Sequence, residues 1–165
     1  MSGQKNNNQH TVLISLGSNI NPEIHVPAAV KLLAEIVDGL QVSSTWESPA
    51  VGSIGPNYLN NAVLFRTGLS LEKVRSHLIT PIENQLGRVR SGDKYMDRTI
   101  DLDVLIYDQN VVDPDLWSQA HLAVPTSELI PDIKNETTGD TLREIAERLQ
   151  RRVEINQRVD LDYGL

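Results

Sequence analysis

R-V-R-S-G-D-K-Y-M-D-R-T-I-D-L-D-V-L-I-Y, residues 88–107, is the stretch on which the reading of this chain turns. In its second half Ile100, Leu102, Val104 and Ile106 alternate with Thr99, Asp101, Asp103 and Leu105, the two-residue period of a strand. A strand turns alternate side chains to opposite faces, so Asp101 and Asp103 share one face with Thr99 beside them. Residues two apart lie roughly 6.5–7 Å from each other, enough to bracket two divalent ions spaced about 3.5–4 Å. Carboxylates beside an apolar strand are costly unless something cationic neutralises them. Arg88, Arg90, Lys94 and Arg98 stand just upstream, where Ser91-Gly92-Asp93 reads as loop. Carboxylates for Mg²⁺ next to arginines for phosphate oxygens form a phosphoryl-transfer constellation. The same residues also fit a purely structural salt-bridge cluster, and D-x-D alone is too short a pattern to decide between the two.

Working outward, Thr11 to Leu16 is a short apolar run entering the turn Gly17-Ser18-Asn19, a first strand. Asn21-Pro22-Glu23 opens a helix with Val26, Val30, Leu33 and Val37 at helical spacing, and Gly39 stops it. Gln41 to Trp46 is β-like. Residues 47–60 hold two prolines and two glycines and read as a long loop carrying Tyr58 and Asn60, before a strand at 61–65. A second helix starts near Ser70 with Val74, Leu78, Ile82 and Leu86 as its stripe; Pro81 should kink or split it, and Gly87 caps it. After the D-L-D strand come a turn at 108–110, a short partner strand Val111-Val112 and a polar loop or single helical turn at 113–119. Leu122 to Pro125 reads as a brief extended run. A helix follows over 140–152, capped by Asp140 or Thr141, and then Val153 to Ile155 as a last strand. The order β-α-β-β-α-β, with further elements appended, predicts an α+β fold: a ferredoxin-like sandwich, a mostly antiparallel sheet with helices packed on one face.

At 165 residues one buried domain is expected, over 11–155, between a disordered 1–10 and a frayed tail at 156–165. A net charge of −7 argues against a protein that coats nucleic acid, so the basic cluster at 88–98 favours a small anionic ligand. With no cysteine, disulfides and thiolate metal sites are excluded. No apolar run reaches membrane-spanning length and the start is polar, so a cytoplasmic protein without membrane partners is expected, a monomer or weak homodimer.

Five segments, L-G-S-N at 16–19, S-P-A-V-G at 48–52, Y-L-N-N-A-V at 58–63, I-E-N-Q-L-G-R-V-R at 82–90 and R-T-I-D-L-D-V-L-I-Y at 98–107, together resemble the hydroxymethyldihydropterin pyrophosphokinase family. The likeness spans about residues 11–125 in the family's order. It implies transfer of pyrophosphate from ATP to the hydroxymethyl group of 6-hydroxymethyl-7,8-dihydropterin in folate biosynthesis. By the resemblance Asp101 and Asp103 hold two Mg²⁺ ions, and Arg88, Arg90 and Arg98 bind phosphates. Tyr95 lies in a closing loop, Glu83 near the nucleotide, and the backbone at Val104 by the adenine. Ser48, Pro49 and Val51 recognise the pterin, Tyr58 stacks on it and Asn60 bonds its edge. A flat polar heterocycle suits an aromatic face plus an amide that donates and accepts.

The chain departs from the family after Leu122-Ala123-Val124-Pro125, where Thr126 stands for the usual histidine and no arginine or aromatic follows before residues 128–131. In the family the missing groups contact ATP phosphates and form the second side of the pterin sandwich; His121, as an ATP-binding residue, or Trp117 could replace the lost phosphate contact. Two readings stay open: an active pyrophosphokinase of variant type, or a catalytically weak paralogue that binds nucleotide or pterin as a regulatory module. The intact carboxylates and arginines favour the first. Outside the resemblance Glu83 would be a solvated helix charge, His25 and His77 surface residues, and Trp46 a packing residue.

Overall fold

The computed structural model describes residues 8–52, 54–90, 92–93, 96–161 and 163–165. Its centre is β1 (His10–Ser18), which pairs along its whole length with β4 (Tyr58–Thr67) on one side and with β5 (Asp101–Tyr107) on the other. The strand begins at His10, the last residue of the expected disordered start. The sheet continues outward from β5 to β6 (Asn110–Val111) and from β4 to β3 (Thr45–Ser48) and β7 (Asn156–Arg158); β2 (Asp38–Val42) shares the β4 edge with β3. Every pairing among the described residues is antiparallel. Ser43 sits at the break between β2 and β3; its N–H donates to Ala62 O (2.9 Å) and its Oγ accepts from Ala62 N (2.8 Å). The α+β sandwich is therefore present, with one difference from expectation: helices cover both faces.

On the first face Val12, Ile14 and Leu16 of β1 meet Val63 and Phe65 of β4 and Leu102 and Val104 of β5. They are covered by α1 (Pro22–Ala34) and by a bent helix made of α2 (Leu71–Lys73), a π-helical stretch Val74–Ile79 and α3 (Thr80–Gln85). The wide π turn lets Pro81, which has no N–H, sit in the first turn of α3 while Leu78 and Ile82 stay buried. On the second face Leu13, Ala62, Leu105 and Ile106 lie under α4 (Ala120–Leu129) and α5 (Leu142–Gln150). A bulge makes this possible: Leu13 pairs with Ile106 and Ile14 with Val104, so Leu105 is an extra residue that turns both it and Ile106 to the second core.

Four local expectations are corrected. Leu122 to Pro125 is not extended but lies inside α4, where five consecutive residues from Leu122 to Thr126 are buried. Burial all round erases the helical stripe from the sequence, and it outweighs the bond lost at Pro125. The first helix stops at Ala34 rather than reaching Val37, and Gly39 with φ 64° falls inside β2. The last strand is Asn156–Arg158 rather than 153–155, because Ile155 is drawn into the second core. The segment expected to fray is instead packed: Leu161 and Tyr163 lie against the first core. The helix at 142–150 forms as read, with Thr141 and Glu144 capping each other.

Candidate active site

Helix α4 leaves one end of the second face uncovered, and a cavity of about 360 Å³ opens there. Its floor is set by strand register. Gly17 stands between Asp101 on β5 and Asn60 on β4, and in the next row Ser15 stands between Asp103 and Ala62. Small residues on the central strand keep the floor low: a Cβ on Gly17 would lie 3.4 Å from Asn60 Oδ1 and 3.7 Å from the Tyr58 ring. One wall carries Ser48 at the end of β3, Pro49 and Val51 from the loop that follows, and Tyr58 at the start of β4; Tyr58 and Asn60 thus lie on a strand rather than in the expected loop. The cavity is also lined by Asp113, Asp115, Gln119, His121 and Leu122, from the start of α4 and the 3₁₀ turn before it.

Asn60 is buried with a fixed orientation. Its Nδ2 donates to Ser48 Oγ (2.8 Å) and to Trp46 O (3.3 Å), which leaves Oδ1 facing Gly17 and the cavity. The Tyr58 hydroxyl is held above its ordinary pKa chiefly by burial, so it stays protonated. Among the described residues the other ring that lines the cavity is His121, whose pKa burial lowers despite Asp115, Asp101 and Asp113 nearby. A neutral imidazole is a flat face rather than a phosphate-binding cation. Trp117 packs against the second core and does not line the cavity. Thr126 is likewise fully buried in α4, away from the cavity.

The charged end is a chain of ion pairs. Arg88 donates to Asp101 Oδ1 (2.7 Å) and to Glu83, and Arg98 donates to the other oxygen of Asp101. Arg90 donates to Glu83 Oε2 (2.6 Å). Glu83 is only 1% exposed, and its Oε1 also accepts from Leu102 N (3.0 Å), so this carboxylate is no solvated helix charge. It ties α3 to β5 and aims two arginines. Arg88, Arg90 and Arg98 frame a smaller cleft of about 190 Å³, and Arg98 lines both it and the main cavity. Asn19 pins that junction: its Nδ2 donates to Asp97 (2.8 Å), its Oδ1 accepts from Arg98 N (2.8 Å).

Asp103 differs from Asp101. Among the described residues it has no hydrogen-bond or ion-pair partner, and its carboxyl is pushed up to about 6 by burial first and by the Asp101 charge second. A carboxylate in that state gains from a cation. No group of three or more metal-ligating side chains exists among the described residues. Two carboxylates at a cavity mouth nonetheless fit Mg²⁺, which keeps several waters and is bound through one or two carboxylates plus substrate phosphates.

The structure thus brings Ser48, Pro49, Val51, Tyr58, Asn60, Arg98, Asp101, Asp103 and His121 to one cavity, with Arg88 and Arg90 in the cleft beside it. Glu83 lies behind the arginines, and the Val104 side chain belongs to the first core. Tyr95 lies outside the described residues. Ser15, Gly17, Asp113, Asp115 and Gln119 are site residues that sequence reading missed. The signal for Gly17 is present in L-G-S-N, a segment of the resemblance to which no site role is attached; Asp113, Asp115 and Gln119 have none beyond polarity.

A sequence model of the family described as 7,8-dihydro-6-hydroxymethylpterin-pyrophosphokinase (HPPK) matches residues 13–131. The chain is 30% identical over 152 residues to the 2-amino-4-hydroxy-6-hydroxymethyldihydropteridine pyrophosphokinase of Synechocystis sp., covering 85% of this chain and 76% of that one. The protein of the same name from Haemophilus influenzae is 31% identical over 135 residues, 74% of this chain and 83% of that one. In three dimensions the chain is similar to a Plasmodium falciparum HPPK-DHPS variant crystallised with SDX-DHP, with TM-score 0.70 at 11% identity over 90% of this chain. The wild-type form with pteroate gives 0.66 at 10% identity over 87%. At that identity the likeness shows the fold alone, and the chain spans 47% and 43% of those two structures.

Proposed function

The chain belongs to the 7,8-dihydro-6-hydroxymethylpterin-pyrophosphokinase family, and we propose that it works as an ATP-dependent pyrophosphokinase of folate biosynthesis, joining the β,γ-pyrophosphoryl group of ATP to the hydroxymethyl oxygen of 6-hydroxymethyl-7,8-dihydropterin. A new O–P bond forms at the β-phosphorus as its bond to the AMP oxygen breaks, and the proton of the alcohol leaves to solvent. The observation that carries this reading is the placement of Asp101 and Asp103 on one face of β5, across Gly17 from Asn60, in a cavity that Arg98 joins to an arginine-lined cleft.

The residues divide the work along the cavity. Tyr58 supplies one face for the pterin, and the imidazole of His121 supplies the opposing one. Asn60 Oδ1 accepts from N–H groups on the ring edge, while Ser48, Pro49 and Val51 close that end. Arg88, Arg90 and Arg98 take the phosphate oxygens, with Glu83 holding the first two in place and Val104 set in the strand behind. Asp101 and Asp103 would hold Mg²⁺, two ions at full occupancy, which supplies charge neutralisation on the transferring phosphates. Catalysis by such a site rests on positioning and electrostatics, with no covalent step on the protein.

The functional unit is the single sheet domain, acting in the cytoplasm as a monomer or weak homodimer, with no nucleic-acid or membrane partner. Among the described residues no helix is long and apolar enough to cross a membrane. A second reading, a nucleotide- or pterin-binding module with weak transfer, draws on the engagement of both Asp101 oxygens by arginines. The deciding experiment is AMP release from Mg·ATP with and without the pterin alcohol. Pterin-dependent AMP, lost in Asp101→Ala, is expected; binding without AMP would leave the module.

A further inference from the structure

The wall that carries Ser48, Pro49 and Val51 hangs from β3, a strand of four residues held to β4 by three pairs. Its other edge is covered by β7, through Thr45–Arg158, Trp46–Gln157 and Glu47–Asn156. Arg158 of β7 then reaches a point where both ends of the loop meet. Its Nη1 donates to Glu47 Oε2 (3.1 Å), and Glu47 Oε1 accepts from Asn57 Nδ2 (3.1 Å). Glu47 leads into the loop and Asn57 leads out of it, immediately before Tyr58. One guanidinium thus secures the neck of the loop through one carboxylate.

Arg158 is itself held on several sides. Its Nε and Nη2 donate in parallel to the two oxygens of Asp160 (2.8 Å each), and Nη1 lies 3.5 Å from Glu23 on α1. The segment is anchored again at Tyr163, whose hydroxyl accepts from Asn61 Nδ2 (2.9 Å) and shares a hydrogen bond with Thr45 at the start of β3. Thr45 and Asn61 are 2% and 0% exposed, so this anchor lies within the sheet's packing rather than on its surface. Arg158 also lines a cleft with Asn19, Pro56 and Asn57, between the loop neck and the residue that pins Arg98. A neck secured in this way limits the conformations of Pro49 and Val51 before substrate arrives, and a preorganised wall loses less freedom on binding.

We infer that Arg158 is a positioning residue for the pterin: acting through Glu47 and Asn57, β7, with Tyr163 as a second anchor, straps the substrate-side loop into its binding geometry. Arg158 lines neither the main cavity nor the arginine cleft. The inference rests on the pterin reading of the cavity for its kinetic consequence, but not for its effect on the loop.

The test compares Arg158→Gln and Arg158→Lys in the full chain, with separate KM values for pterin and Mg·ATP and amide exchange at Ala50, Val51 and Gly52. Loss of one charged link should raise the pterin KM about tenfold in R158Q, with ATP KM and kcat changed by less than about twofold. R158K should recover most of that. Exchange at Ala50 to Gly52 should quicken while Val12 and Ile14 in the core keep their protection. An unchanged pterin KM with unchanged loop exchange overturns the inference. So does a parallel fall in every kinetic constant with loss of core protection, the mark of a merely structural role. If R158Q does not fold, Asn57→Ala breaks the next link of the same chain, between Glu47 and the loop's exit, and leaves Arg158 with Glu47 and Asp160, with the same outcomes required. Should the wild-type protein release no pterin-dependent AMP, the proposed activity fails, and the exchange arm alone decides the strap.

Discussion

Asp103 holds a charge where the fold by itself gains nothing from it. Its carboxyl titrates near 6 instead of 3.8, because the cavity partly desolvates it and Asp101 stands on the same face. Between those two values the folded state keeps a proton that the unfolded state has released, so in metal-free buffer stability falls as pH rises through this window and stays reduced above 6. Asp103→Asn removes that penalty. At pH 7 in chelator the variant should melt about 1–3 °C higher, a modest figure because the group is open to solvent. The gain should vanish near pH 4, and pterin-dependent turnover should fall by about 10²–10³ at every pH. Scanning calorimetry at the two pH values and a turnover assay check both halves; a variant that melts no higher at pH 7 would refute the assigned cause. Glu83 shows the opposite economy of charge: fully buried, it is satisfied by two arginines and a backbone amide, and its role is to aim them. Nothing in its own position on a helix distinguishes it from a surface glutamate, so sequence alone reached it only by resemblance.

At the level of elements, β1 does two jobs along one strand. Its first half alternates apolar residues into both cores; its second half presents Ser15 and Gly17 as a low floor between carboxylates and amide. Gly17→Ala should therefore separate fold from function. The added Cβ would make ordinary contacts at 3.4 and 3.7 Å, so the melting temperature should stay within about 2 °C, while crowding of the floor raises the pterin KM about 5–10-fold. Titration of the pterin against both proteins, with a thermal melt of each, tests it; equal pterin KM values would remove Gly17 from the site. The helical elements show which signals were legible. Helix α5 is amphipathic and box-capped, and its sequence says so. Helix α4 is buried on nearly every side, so its residues carry no period, and the proline within it points the wrong way. An extended run at 122–125 gives Gln119 no place in the site; it reaches the cavity beside His121 only once 120–129 is a helix.

Across the whole molecule, two cores on opposite faces of one sheet hold the fold, and the charged site lies at an edge of the second. Metal bound at that edge would serve the substrate rather than the fold. Removal of Mg²⁺ with excess chelator should therefore abolish AMP release while the ligand-free protein's melting temperature moves by less than about 1–2 °C. Restoring Mg²⁺ should restore activity in full. A chelator-induced unfolding would instead assign a structural metal, contrary to the two-core architecture.

What the sequence by itself determined is local and periodic. The alternation over 100–106 set a strand with both aspartates on one face, the residues at 70–86 set a helix interrupted before Pro81, and the arginines clustered upstream of D-L-D announced an anionic ligand. What only the tertiary structure decided is which distant residues meet. Pairing register put Asn60 two strands from Asp101 across a glycine, α4 brought His121 to the cavity that Tyr58 lines, and β7 at Asn156–Arg158 closed over the edge of β3. Sequence patterns report the environment of a residue relative to its own neighbours in the chain, whereas register, burial on all sides and edge coverage are properties of pairs of segments. They exist only once the sheet has formed.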